Sequence, residues 1–134
     1  MAPIAVTLDQ QDPAVGVVRL IGEHDAYSAT RLENELAVLL DAGLRIVIDL
    51  REATFVDSQT LSILLSTRHQ AEEADLGFTL VLSDTDHTQV RRILEMTGLA
   101  VAFAIYPTHD SALAAARAGR TVGDGITIGS ETSS

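Results

Sequence analysis

Residues 44–65 read LRIVIDLREATFVDSQTLSILL. The first seven form a nearly continuous apolar run, the pattern of a strand covered on both faces. After Arg51-Glu52 comes ATFVD, too short to establish a separate strand. Asp57-Ser58-Gln59-Thr60 then makes a polar turn, and Leu61, Leu64, Leu65 and Arg68 follow on one helical side. A buried strand feeding a helix through an acidic turn is a building unit of α/β proteins.

The same grammar repeats outward from this stretch. IAVTL (4–8) and VGVVRLIG (15–22) are β-branched runs separated by a polar segment with Pro13, which predicts a hairpin with Arg19 facing solvent. Leu32, Leu36, Leu39 and Leu40 make an amphipathic helix over 28–42, capped by Ser28 or Thr30 and stopped by Gly43. GFTLVLS (77–83) predicts another buried strand. DTDHTQVRRILEMTG (84–98) predicts a helix carrying Val90, Ile93, Leu94 and Thr97 and ending at Gly98, with Arg91 and Arg92 on its solvated face. VAFAIYP gives a last short strand and THDSALAAARAG an Ala-rich helix. The expected architecture is therefore one α/β domain over 1–118: a mixed, mainly parallel sheet of four to five strands with about four helices. Residues 119–134, rich in Gly, Ser and Thr, read as a flexible tail.

Composition removes several functions. The 134 residues, 46% hydrophobic and 21% charged, suit a single globular domain. A formal charge of −10 opposes binding to nucleic acid or an anionic membrane, both of which draw affinity from Lys and Arg. There is no Cys, so thiol chemistry and Cys-zinc sites are excluded. All nine basic residues are Arg; the chain lacks the Lys of a Walker loop, of Schiff-base chemistry and of a phosphate-receiver enzyme. No apolar run reaches the roughly 18 residues of a membrane span, and the N-terminus lacks secretory features, which predicts a cytoplasmic protein. The four His are scattered, so no metal site or cofactor is expected. Gly123, Gly125 and Gly129 follow a helix rather than a strand and do not make a phosphate loop.

Two turns carry what chemistry remains. Asp57-Ser58-Gln59-Thr60 is open to two readings: a helix cap, with Ser58 at the N-cap and Asp57 on the helix dipole, or a docking surface whose hydroxyls can take phosphate. GEHDAYSAT (22–30) is a second strand-to-helix turn, bearing Glu23, His24 and Asp25, and reads as a surface loop beside the first.

The two turns taken together, with VRRILEMTGLAVAFAIYPTHDSAL at 90–113, resemble the STAS family, the bacterial anti-sigma-factor antagonists, over about residues 4–118. The resemblance implies a non-enzymatic protein that binds an anti-sigma factor, often one that is a serine kinase, and so releases a sigma factor. Phosphorylation of the antagonist breaks such complexes. The family motif is Asp-Ser-Ser/Thr-Gly-Leu, with the third position as acceptor. Asp57, Ser58 and Leu61 match it, whereas Gln59 stands at the acceptor position and Thr60 replaces the glycine. Gln59 has no hydroxyl to phosphorylate, so Ser58 and Thr60 become the phosphorylation candidates. The implied contact comprises Glu23, Asp25, Asp57, Ser58, Gln59, Thr60 and Ser62, with the helix start near 86–90. STAS-like domains also serve as accessory subunits of membrane transport complexes and in multi-protein sensing assemblies, which keeps that alternative open. The sequence sets no oligomeric state.

Overall fold

The computed structural model describes residues 3–83 and 89–123; of the tail expected over 119–134, residues 124–134 lie outside them, as do residues 84–88 of the helix expected over 84–98. Seven strands appear among the described residues: β1 (Ile4–Asp9), β2 (Val15–Leu20), β3 (Gly22–His24), β4 (Arg45–Asp49), β5 (Ala53–Val56), β6 (Phe78–Val81) and β7 (Ala104–Tyr106). The helices are α1 (Ala26–Asp41), α2 (Ser58–Glu73), α3 (Gln89–Met96) and α4 (His109–Arg117).

Five strands form one sheet in the order β1-β2-β4-β6-β7. The β1–β2 hairpin is antiparallel and every other pair is parallel. Alternation along the strands sorts the core into two layers. Val15, Val17, Val47 and Val81 face α4 and pack on Ala112, Leu113 and Ala116. Val18, Leu20, Ile46, Ile48 and Leu80 point the other way, onto Leu32, Leu36, Leu64 and Leu94 from α1, α2 and α3. Helices thus cover both faces, as the apolar strand runs require.

The Ala-rich sequence of α4 has a packing reason besides propensity. Gly77, at the foot of β6, lies directly under it, and a Cβ built there would sit 2.0 Å from the Ala116 carbonyl oxygen. The buried Thr79 hydroxyl donates to the Ala112 carbonyl at 2.9 Å, so β6 and α4 are joined by a hydrogen bond as well as by contact.

Several boundaries differ from the sequence expectation. Leu99–Ala102 is a 3₁₀ turn entered through Gly98 at φ 74°, so the last strand is only Ala104–Tyr106. The buried face of α2 is Thr60, Leu61, Ile63, Leu64, Thr67 and Ala71; Leu65 is half-buried and Arg68 turns to Glu72 at 3.5 Å. Arg19 is half-exposed and pairs with Glu52 at 2.5 Å. Arg91 is not freely solvated: its guanidinium donates to the Ser83 carbonyl at 2.7 Å and lies 3.6 Å from Glu95.

The larger departure is a second, two-stranded parallel sheet made by β3 and β5, with His24 opposite Val56. The ATFV segment is therefore a strand, and GEH is strand rather than loop. On β5, the Gln89 side-chain amide accepts from the Val56 N–H and donates to the Val56 carbonyl, both at 3.0 Å, standing in for a neighbouring strand.

Candidate functional site

Because β3 and β5 run parallel and side by side, each delivers its helix at the same edge. β3 enters α1 through Asp25 and β5 enters α2 through Asp57. The two turns are joined directly: the Asp57 N–H donates to the His24 carbonyl at 3.1 Å. Pairing of two short strands distant in sequence is thus what turns two separate motifs into one face.

Both helices begin on an aspartate. Asp25, not Ser28 or Thr30, is the N-cap of α1, and its carboxylate accepts from the Tyr27 N–H at 3.0 Å. Ser28 completes a capping box by accepting from the Asp25 N–H at 3.2 Å. Asp57, not Ser58, is the N-cap of α2 and accepts from the Thr60 N–H at 2.8 Å. Aspartate suits these positions because its oxygen satisfies an orphan N–H and its charge meets the positive end of the helix dipole. Asp57→Ala removes that acceptor and is expected to cost about 1–2 kcal/mol, with Asp57→Asn retaining most of the stability; urea denaturation of the two variants checks this.

Thr60 was expected on the docking surface and as an acceptor of phosphate. It is instead fully buried, at 0% exposure. Its hydroxyl lies 2.8 Å from Asp57 Oδ1 and 3.3 Å from the His24 carbonyl, so its single proton is held inside the cap. Thr60 fixes Asp57 and presents nothing to solvent. Glu23, Asp25, Ser58, Gln59 and Ser62 are exposed, and Asp57 is half-buried. Ser58 and Ser62, four residues apart, share one face of α2.

Tyr27, which the sequence reading did not single out, stands in the first turn of α1 with 94% of its surface exposed. It borders a groove of about 570 Å³ lined by Pro3, Ile21, Gly22, Glu23, Asp25, Tyr27 and Ser28. Its exposure follows from its place in the first turn of α1, on the side away from Ala29 and Leu32, which are buried.

His24 is not on a surface loop but buried, at 0% exposure. Its ring faces the Ile21 carbonyl through Nε2 and Ser28 Oγ through Nδ1, each at 3.2 Å. Burial pulls its pKa below the ordinary 6.5, against the Ile21 carbonyl, Asp25 and the Pro3 carbonyl, which favour the proton. Among the described residues no group of three or more His, Asp or Glu could hold a metal, and no helix is long and apolar enough to cross a membrane.

Residues 6–112 match the STAS domain model. The chain belongs to the STAS-domain family. Its STAS fold is similar to that of an anti-sigma factor antagonist from Mycobacterium paratuberculosis, with 33% identity over 86% of this chain and 95% of that one and a TM-score of 0.69. The phosphorylated form of SpoIIAA, the Bacillus cell fate determinant, shares 20% identity over 82% of this chain and 97% of its own, with a TM-score of 0.58; at that identity the likeness is one of fold alone. No match is found among curated proteins. Within the STAS fold the two aspartate-capped turns form a single edge, on which Gln59 is exposed beside Ser58.

Proposed function

We propose that this STAS domain is a cytoplasmic, non-enzymatic regulator of transcription that captures an anti-sigma factor and thereby frees a sigma factor. The contact is the edge bearing Glu23, Asp25, Tyr27, Asp57, Ser58, Gln59 and Ser62. The observation that carries the reading is the joining of the two turns into one exposed edge by the β3–β5 pair, in a chain 33% identical to an anti-sigma factor antagonist. An exposed tyrosine fits such a contact, since aromatic residues are enriched in protein interfaces.

The phosphoswitch has moved or gone. Gln59 cannot take phosphate and Thr60 is buried, which leaves Ser58 as the hydroxyl available in the Asp57 turn. A kinase partner acting on Ser58 would place roughly two negative charges beside Asp57 and break the contact. Without such a kinase the antagonist is constitutively active and is controlled by its abundance.

Capture of the tagged chain from its own cells, with partners identified by mass spectrometry, tests the proposal. Recovery of an anti-sigma factor supports it. Recovery of transporter subunits instead would keep the fold and replace the function with that of an accessory subunit.

A further inference from the structure

His24 belongs to both caps at once. Its imidazole supports α1 through Ser28 Oγ, and its carbonyl supports α2 by accepting from the Asp57 N–H and lying 3.3 Å from the Thr60 hydroxyl. We propose that His24 is a proton-sensitive pin of the docking edge: a proton taken up by its buried imidazole opens both caps and lowers the affinity of the edge for its partner. This rests on the reading of that edge as the docking surface.

The hydrogen bonds define the starting state. The Ile21 carbonyl can only accept, so Nε2 carries a proton and the neutral ring leaves Nδ1 as an acceptor. Ser28 Oγ–H, 3.2 Å away, is the donor that meets it. On protonation Nδ1 also becomes a donor, and Ser28 must turn its own proton to the Asp25 carbonyl, 3.1 Å away. Hydrogen bonding survives that exchange, but a full charge now lies in a site closed to solvent, with neutral dipoles as its direct partners.

The charged groups around the ring do not neutralise it. Asp25, on the same turn, attracts the imidazolium, and Arg31 of α1 opposes it. β5 contributes Ala53, Thr54, Phe55 and Val56, none of which titrates, and the adjoining segment before β1 contributes the Pro3 carbonyl. On the α2 side the carboxylate of Asp57 is committed to the Thr60 N–H and hydroxyl. The economical relief is for the ring to swing out toward water. β3 offers little resistance, being three residues long, paired with one strand, and irregular in register just after Gly22 at φ 79°. Moving His24 withdraws the carbonyl that holds Asp57 and Thr60, so both helix starts loosen together. Proton and partner then compete for one state, and each weakens the other by the same factor.

The test needs no partner. The ¹⁵N-labelled full chain is followed from pH 7.5 to 5 by NMR, reading the His24 ring nitrogens and the exchange protection of the Tyr27, Asp57 and Thr60 amides, corrected for intrinsic rates. In the open state the ring has its ordinary pKa near 6.5, above that of the closed state. The open state therefore binds more protons, and opening grows as pH falls, by up to about tenfold per pH unit. Cap protection is expected to fall accordingly below pH 6.5 while the Val47 and Ile48 amides stay protected, and His24→Gln is expected to abolish the dependence. The wild-type titration alone decides if that variant does not fold. Protonation of the ring with cap protection unchanged, a ring still neutral over closed caps at pH 5, or loss of β4 protection in step with the caps would each overturn the proposal. Failure of partner capture at pH 7.5 would instead remove the docking reading and leave the proton response standing.

Discussion

Ser58→Asp is expected to weaken binding of the captured anti-sigma factor about a hundredfold, or about 2.7 kcal/mol, while leaving stability within about 0.5 kcal/mol of the parent. The asymmetry follows from where Ser58 sits. It is the first residue of α2, exposed, and not the N-cap, so the fold does not depend on its hydroxyl. A carboxylate there faces the positive end of the helix dipole, which offsets its repulsion from Asp57. In a complex the same carboxylate must lose its water next to a second one, and that cost appears only on binding. Titration calorimetry on both chains, with urea denaturation beside it, reads the two effects separately. Unchanged affinity would remove Ser58 from the contact. Tighter binding would place a cation of the partner opposite it and contradict the proposed action of phosphate.

The largest effect on stability is expected from Gly77→Ala, a loss of about 3 kcal/mol. The added methyl would lie 2.0 Å from the Ala116 carbonyl oxygen and 2.7 Å from its carbonyl carbon and Cα. These are backbone atoms in a helix and cannot rotate aside. α4 has to lift from β6, which opens the layer formed by Val15, Val17, Val47 and Val81 and stretches the Thr79 hydroxyl bond to Ala112. Gly16→Ala is the internal comparison: its methyl would meet the Leu39 side-chain tip at 2.9 Å, and a Leu side chain can shift. It is expected to cost about 1 kcal/mol. Equal urea midpoints for the two variants would contradict the packing account.

The five-stranded sheet and all four helices were legible because each carries its own period or its own stop. The Leu32, Leu36 and Leu39 stripe lies on the buried face of α1, and β4 is as apolar as a doubly covered strand should be. The site was legible in part. Both turns drew notice for their acidic and hydroxyl residues, but the sequence could not show that they touch. Their contact depends on the β3–β5 pair, two strands of three and four residues with no repeat long enough to read. The caps shifted by one residue at Asp57-Ser58 because both side chains are good N-caps and only the backbone decides between them. Thr60 looks exposed in a polar tetrapeptide, yet three residues past the N-cap its hydroxyl folds back onto Asp57. His24 sits among acidic residues and still faces inward, as strand alternation between exposed Glu23 and Asp25 dictates. Gln89 as a surrogate strand and Tyr27 as a bare ring are tertiary facts that one-dimensional patterns do not carry.

On the proposed reading, the edge built by the two aspartate caps receives the anti-sigma factor. Amide chemical-shift mapping of the ¹⁵N-labelled chain on addition of that protein tests it most directly. Perturbations are expected to concentrate in residues 23–28 and 57–62. Perturbations confined to β1 and α4, with both turns unmoved, would contradict it.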